Sequence, residues 1–199
     1  MKQINEYKMI FDSYGGMMRT RDLQNEKILY RTLHKLIEQG FVEKVRYGYY
    51  RWINLNDFSE VCVVIRLFPE AILCMETALR YYGYSDRNPL KWHLAVSRDF
   101  SKSRFNIDYP FVKPHYVNSS YLEIGLSYGV IDGHKVRIYD KERVICDCMR
   151  FRNRMDKEIF NKAILGYIND QGKNIPRLME YAEELRVKKT VKELIGVWL

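Results

Sequence analysis

Cysteine is scarce in this 199-residue chain: four residues, Cys62, Cys74, Cys146 and Cys148, stand among apolar neighbours with no CxxC pair. Disulfide scaffolds use cysteine far more densely, so reduced, buried thiols in a cytoplasmic protein are expected. Long apolar runs are missing too. A stretch such as Val61–Ile65 stops at Arg66, far short of the roughly 18 residues of a membrane span. The first residues, MKQINEYKMI, carry charges throughout and lack the apolar segment of a signal peptide.

The usual marks of catalysis are also absent. Gly15-Gly16 is not followed by GK[ST], and no GxGxxG occurs, so no phosphate-cradling loop is expected. His34, His93, His115 and His134 are scattered, with neither HExxH nor a Cys/His spacing suited to zinc. Cys146-Asp147-Cys148 would place its thiols on different sides of a helix, as a core pair rather than a metal site. The Gly-Ser with paired carboxylates that a nucleotidyltransferase needs is not present. Asp140, Glu142 and Asp147 read as capping, helix-dipole and surface-pairing carboxylates. The expectation is a non-enzyme with no catalytic residue, no cofactor and no metal.

Positive charge, in contrast, is plentiful. The net charge is +8 and the pI about 9.2, which points to an anionic partner. Residues 1–55 hold ten Lys+Arg against six Asp+Glu, and residues 56–199 hold 23 against 19. Each part is thus net +4, and the positive charge is more than twice as dense in the shorter one.

That shorter part has a recognisable plan. Ile4, Tyr7, Phe11 and Tyr14 fall on one helical stripe, ended by Gly15-Gly16. Met17-Met18 leads to Thr20, read as the cap of a short helix. A second helix is expected from about Lys27 to Gln39, with Leu29, Leu33, Leu36 and Ile37 facing a core. Lys27, Tyr30, Arg31, His34, Lys35 and Glu38 occupy the opposite arc, as on a major-groove recognition helix. Phe41–Arg46, Tyr47-Gly48 and Tyr49–Ile53 then spell strand, turn, strand. A two-residue turn would set Lys44 against Arg51; a three-residue turn would set Glu43 against Arg51. In either register Lys44, Arg46 and Tyr47 sit at the tip, where phosphate contacts are usual. The order predicts an N-terminal winged helix-turn-helix over residues 1–55 that binds double-stranded DNA.

Residues 56–199 are expected to form a larger α+β domain with a small mixed sheet and C-terminal helices, the junction falling near Leu55-Asn56-Asp57. Helices are predicted at Glu60–Phe68 and Cys74–Tyr82. Strands follow at Trp92–Ser97, His115–Asn118, Tyr121–Leu126, Val130-Ile131 and Lys135–Tyr139, with a turn at Asp132-Gly133. Helices resume after Asp140, over Lys157–Ile168, Ile175–Leu185 and Thr190–Leu199. Arg98, Lys102 and Arg104 on one loop, and Arg150, Arg152 and Arg154 at a helix end, are candidate additional phosphate contacts. Lys188, Lys189 and Lys192 form a weaker group.

Four stretches, GGMMRTRDL, LIEQGFVEKVRYGYYRW, FPEAILCMETALRYYG and IYDKERVICDCMRFR, together resemble the AbiEi family, the antitoxins of type IV abortive-infection toxin–antitoxin systems. The resemblance spans nearly the whole chain. It implies an autorepressor whose winged helix binds inverted repeats in its own operon promoter, with self-association on DNA. The functional partner would be a nucleotidyltransferase toxin, countered by the C-terminal domain without a stable complex. By that resemblance DNA contacts fall to Lys27, Tyr30, Arg31, His34 and Lys35 on the helix and to Lys44, Arg46 and Arg51 on the wing. Tyr47 at the tip and Arg19 and Thr20 at the head of the first helix complete the candidate set. The alternative is a protein-interaction module that neutralises an acidic partner or toxin by direct binding.

Overall fold

The computed structural model describes residues 2–53 and 59–196, so the predicted junction at Leu55-Asn56-Asp57 and the end of the last predicted helix lie outside the described residues. The architecture is α+β, with a three-stranded sheet, a five-stranded mixed sheet and C-terminal helices. The chain divides into two compact units. Unit 1 comprises Met1–Val63 and Lys102–Pro110, and unit 2 comprises Val64–Ser101 and Phe111–Leu199. The first unit therefore extends past the boundary expected at residue 55 and takes in a segment remote in sequence.

In unit 1, α1 (Lys2–Ser13) buries Phe11 fully and lays Ile4, Tyr7 and Ile10 against the core. Gly16, at φ +79°, returns its N–H to the Phe11 carbonyl at 2.7 Å and ends the helix, the conformation glycine is suited to. The core closes with Met18, Leu23, Ile28, Leu33, Leu36, Val42 and Trp52, the Phe11 and Trp52 rings lying 5.5 Å apart.

One strand was not predicted, and two local expectations need correction. Met17-Met18 belongs to β1 (Met17–Arg19), which pairs antiparallel with β3 (Tyr49–Trp52), which pairs in turn with β2 (Val42–Arg46). Thr20 is the first residue of α2 (Thr20–Asn25) rather than its cap. The Arg19 N–H donates instead to the Asp22 carboxylate at 2.8 Å, which satisfies an end donor that no helical carbonyl can reach. The next helix, α3 (Tyr30–Glu38), starts three residues later than predicted. Lys27 is in the left-handed region at φ +56°, and the Ile28 N–H closes on the Leu23 carbonyl at 2.8 Å. Leu29, an extended N-cap residue, is consequently 71% exposed, and Ile28 fills the core place assigned to it.

The hairpin combines both predicted registers. Arg46 opposes Tyr49 across a two-residue Tyr47-Gly48 turn, yet Glu43 opposes Arg51 because the register shifts between Lys44 and Arg46. One extra residue in one strand is a β-bulge. It removes the like-charge Lys44/Arg51 pairing and substitutes an ion pair between Arg51 and Glu43.

Unit 2 is built on a sheet in the order β6-β5-β4-β8-β7. Its strands are β4 (Ile72–Leu73), β5 (Trp92–Ser97), β6 (Val112–Val117), β7 (Leu126–Ile131) and β8 (His134–Tyr139). The β5–β6 and β4–β8 pairs are parallel, and the other two are antiparallel. Helices α4 (Glu60–Leu67) and α5 (Met75–Tyr81) precede β5. The two-residue β4 was not predicted, its fully buried Ile72 and Leu73 being too short for a periodic signal.

The segment expected as strand Tyr121–Leu126 instead forms a turn of helix, α6 (Ser119–Leu122), capped by the Asn118 side chain. The Tyr121 and Ile124 carbonyls each accept from Arg143 Nη1 at 2.7 Å, so they serve a buried side chain and not a ladder. Gly125 (φ +74°) is needed there, since a Cβ would meet the Arg143 Cβ at 2.3 Å.

Helix α7 (Lys141–Phe151) is enclosed. Val144, Ile145, Cys146, Cys148 and Met149 are all fully buried, with α8 (Lys157–Asn169), α9 (Ile175–Glu184) and α10 (Lys188–Ile195) following. Asp140 caps it as expected, accepting from the Arg143 N–H at 2.9 Å. Glu142 and Asp147, expected at the surface, are only 3% and 5% exposed. Glu142 accepts from the Asn174 N–H at 2.8 Å and the Tyr167 hydroxyl at 3.3 Å, and Asp147 pairs with Arg143 Nε at 3.1 Å. Cys74, Cys146 and Cys148 are buried free thiols, pushed well up by burial. Among the described residues, no helix is long and apolar enough to cross a membrane.

Candidate nucleic-acid interface

The outer side of α3 follows from its inner side. With Leu33 and Leu36 turned into the core, Tyr30, Arg31, His34 and Lys35 are left exposed. Tyr30 is 71% exposed, and its ring lies 4.3 Å from that of His34 one turn on. Lys27 is exposed in the turn before the helix.

The Tyr47-Gly48 turn of the hairpin gathers a second group. The Thr20 N–H donates to the Gly48 carbonyl at 2.9 Å, tying the turn to the head of α2. Two guanidiniums share the Tyr49 ring, Arg46 at 4.2 Å and Arg19 at 5.4 Å from its centroid. Such stacking holds a cation in place without neutralising it. Lys44 lies 5.5 Å from the ring of Tyr47, which is 90% exposed. Tyr50 is half-buried, and burial, then Tyr30 and Tyr47, raise its hydroxyl.

Three nearby carboxylates are engaged, while Glu38 at the end of α3 is exposed. Asp22 accepts from Arg19 N, Glu26 accepts from the Tyr14 hydroxyl at 2.8 Å, and Glu43 holds Arg51. The Arg51 side chain, 18% exposed and paired, is therefore separate from the exposed cationic set. Of the predicted residues, Arg19, Thr20, Lys44, Arg46 and Tyr47 meet around the wing turn, and Tyr30, Arg31, His34 and Lys35 lie along α3.

The candidate additional contacts separate into three places. Lys102 and Arg104 form a 3-10 turn (Lys102–Phe105) inside unit 1, where the Arg104 carbonyl accepts from Arg46 Nη1 at 3.1 Å. Arg46, Tyr47, Tyr49, Ser103, Arg104 and Asn106 line one shallow recess. Arg98, Arg150 and Arg154 line a different cavity, within unit 2. Arg152 joins neither and donates to Thr190 Oγ1 at 3.1 Å. Among the described residues, no group of three or more His, Cys, Asp and Glu side chains is placed to hold a metal ion.

No protein-family model matches the sequence, and no curated protein matches it. The site is therefore read from its geometry and from the sequence resemblance.

Sequence reasoning missed Tyr49 as the platform for two arginines, and missed the placement of Lys102 and Arg104 beside the wing. For Tyr49 a signal existed, the alternation of basic and aromatic residues in RYGYYR. For the 102–110 segment none did, because its neighbours lie some fifty residues away in the chain.

Proposed function

We propose that unit 1 is a winged helix-turn-helix that reads duplex DNA, with α3 in the major groove and the wing turn on the backbone. The observation that carries this is the exposed basic and aromatic face of α3, Tyr30, Arg31, His34 and Lys35, together with exposed Lys44 and Tyr47 and the half-buried Arg46–Tyr49 pair, with Arg19, at the hairpin turn. A helix with its side chains is about 10–12 Å across, matched to a major groove about 12 Å wide. The cations at the wing turn suit phosphate oxygens, which set register, while the side chains of α3 suit base edges. The 3-10 turn at Lys102–Phe105 adds two cations to the wing side.

The biological role we propose is that of the family the sequence resembles: an autorepressor binding inverted repeats in its own promoter, two copies assembling on DNA, and the antitoxin to a nucleotidyltransferase toxin. Support for the antitoxin part is the resemblance alone. The DNA-reading part is tested by mobility shift on the operon's upstream region. Tight, salt-sensitive binding is expected. Arg31→Ala with Lys35→Ala should weaken it by about 1–3 kcal/mol for each side chain that hydrogen-bonds a base edge. Unchanged affinity in that double variant would remove α3 from the interface. Co-expression with the neighbouring toxin gene tests the antitoxin part: rescue of growth is expected, and continued toxicity refutes it.

A further inference from the structure

The cavity in unit 2 is a feature that DNA reading by unit 1 leaves unused. It has a volume of about 310 Å³, within the range of roughly 300–1,000 Å³ typical of small-ligand sites. Arg98 lines it from the end of β5, Arg150 from the last turn of α7, and Arg154 from the 3-10 turn that follows.

What sets these three arginines apart is that they share one concavity without a carboxylate of their own. Arg87, Arg137, Arg143 and Arg177 each meet a carboxylate within 4.0 Å, while Arg80 and Arg152, outside the cavity lining, bond to neutral side chains. Among the described residues, Arg98, Arg150 and Arg154 make no ion pair within 4.0 Å, and the Arg150 guanidinium lies 5.9 Å from the Phe151 ring. The one carboxylate in the lining, Asp147, is bound to Arg143, which Tyr121, Ile124 and the Tyr139 ring hold in place. Three guanidiniums around one concavity repel one another unless an anion lies between them. His115 adds a polar edge: its Nε2 faces His93 Nδ1 at 3.2 Å, and among the described residues its Nδ1 makes no hydrogen bond.

We infer that this cavity binds a small phosphate monoester, such as a nucleoside monophosphate, with Arg98, Arg150 and Arg154 on the phosphate. A monoester dianion offers three terminal oxygens, and the guanidinium fork matches pairs of them. The remaining volume takes a compact organic group beside His115 and Phe151. Duplex DNA fits less well, since its singly charged diesters lie along a wide cylinder and not inside a pocket. The inference is independent of the DNA reading proposed for unit 1.

Calorimetric titration of the full chain with AMP, inorganic phosphate and adenosine tests it. AMP should bind once per chain, inorganic phosphate about tenfold more weakly, and adenosine not at all. Arg150→Gln and Arg154→Gln should each weaken AMP binding about tenfold or more, as loss of a charge-assisted hydrogen bond requires. Arg150→Lys should recover part of that loss. All three arginines are exposed, so the variants should keep the thermal midpoint of the parent and its affinity for the operator duplex. Absence of AMP binding at millimolar concentration overturns the proposal, as does AMP affinity that survives in the triple Gln variant. Equal affinity for AMP and inorganic phosphate overturns its organic part. A triple variant that loses duplex affinity while the parent ignores AMP would assign these arginines to DNA. Failure of operator binding by the parent, with AMP binding intact, would count against the function of unit 1 only.

Discussion

If unit 1 reads duplex DNA as proposed, the salt dependence of that binding follows from which cations the fold leaves exposed. Each phosphate neutralised by Lys or Arg contributes about −0.9 to the slope of log affinity against log salt. Along α3 and the hairpin, Arg19, Lys27, Arg31, Lys35 and Lys44 are exposed, whereas Arg46 is half-buried with Nη1 on the Arg104 carbonyl and Arg51 is paired with Glu43. If the five exposed cations reach phosphates the slope is about −4.5 per chain, and about twice that for two chains on an inverted repeat. Fluorescence anisotropy on a labelled operator half-site, across a series of potassium chloride concentrations, measures it directly. Lys44→Gln should make the slope shallower by about 0.9. Arg51→Gln should leave the slope unchanged and lower the denaturant midpoint, because its mostly buried guanidinium is paired with Glu43. A parent slope shallower than about −2 would refute the phosphate assignment. Equal slope changes for Lys44→Gln and Arg51→Gln would refute the division between exposed and paired cations.

Two further outcomes test unit 2. Asp147→Leu removes the carboxylate from a guanidinium that is itself fully buried, and should cost about 3–5 kcal/mol in denaturant unfolding. A destabilisation below about 1 kcal/mol would mean that the two carbonyls and the Tyr139 ring suffice for Arg143. Acidification should also destabilise the protein. Burial first, then His115, Lys113 and Lys91, depress His93 to about 3, and burial and Lys113 depress His115 to about 4, against an ordinary value of 6.5. The unfolded chain therefore takes up protons that the folded one refuses, so stability is full above pH 6.5 and falls as pH drops toward these values. Denaturant midpoints at a series of pH values should show this fall, and a His93→Gln, His115→Gln variant should show less of it; an identical profile in that variant would place the acid sensitivity elsewhere.

Much of unit 1 could be read from local pattern. The stripe in α1, the Gly15-Gly16 stop and the Tyr47-Gly48 turn each follow from interactions within a few residues. The exposed face of α3 needed only its buried face, Leu33 and Leu36, to be assigned. The start of α3 was misplaced because an arc of leucines continues through Leu29, and nothing local marks Lys27 as left-handed.

What the chain encodes by itself, then, is the succession of helices, turn and basic hairpin, the α+β character of the remainder, and the residues that carry positive charge. Tertiary structure alone decided which charges remain available. Glu43 takes Arg51 through a bulge whose one-residue shift leaves no local mark, and Asp147 takes Arg143 within an enclosed helix. One basic loop is divided, Arg98 going to a cavity in unit 2 and Lys102 and Arg104 to the wing. Periodicity reports which face of an element is buried, because burial repeats with the backbone. It does not report which distant side chain arrives there, since that depends on how separate segments close against one another.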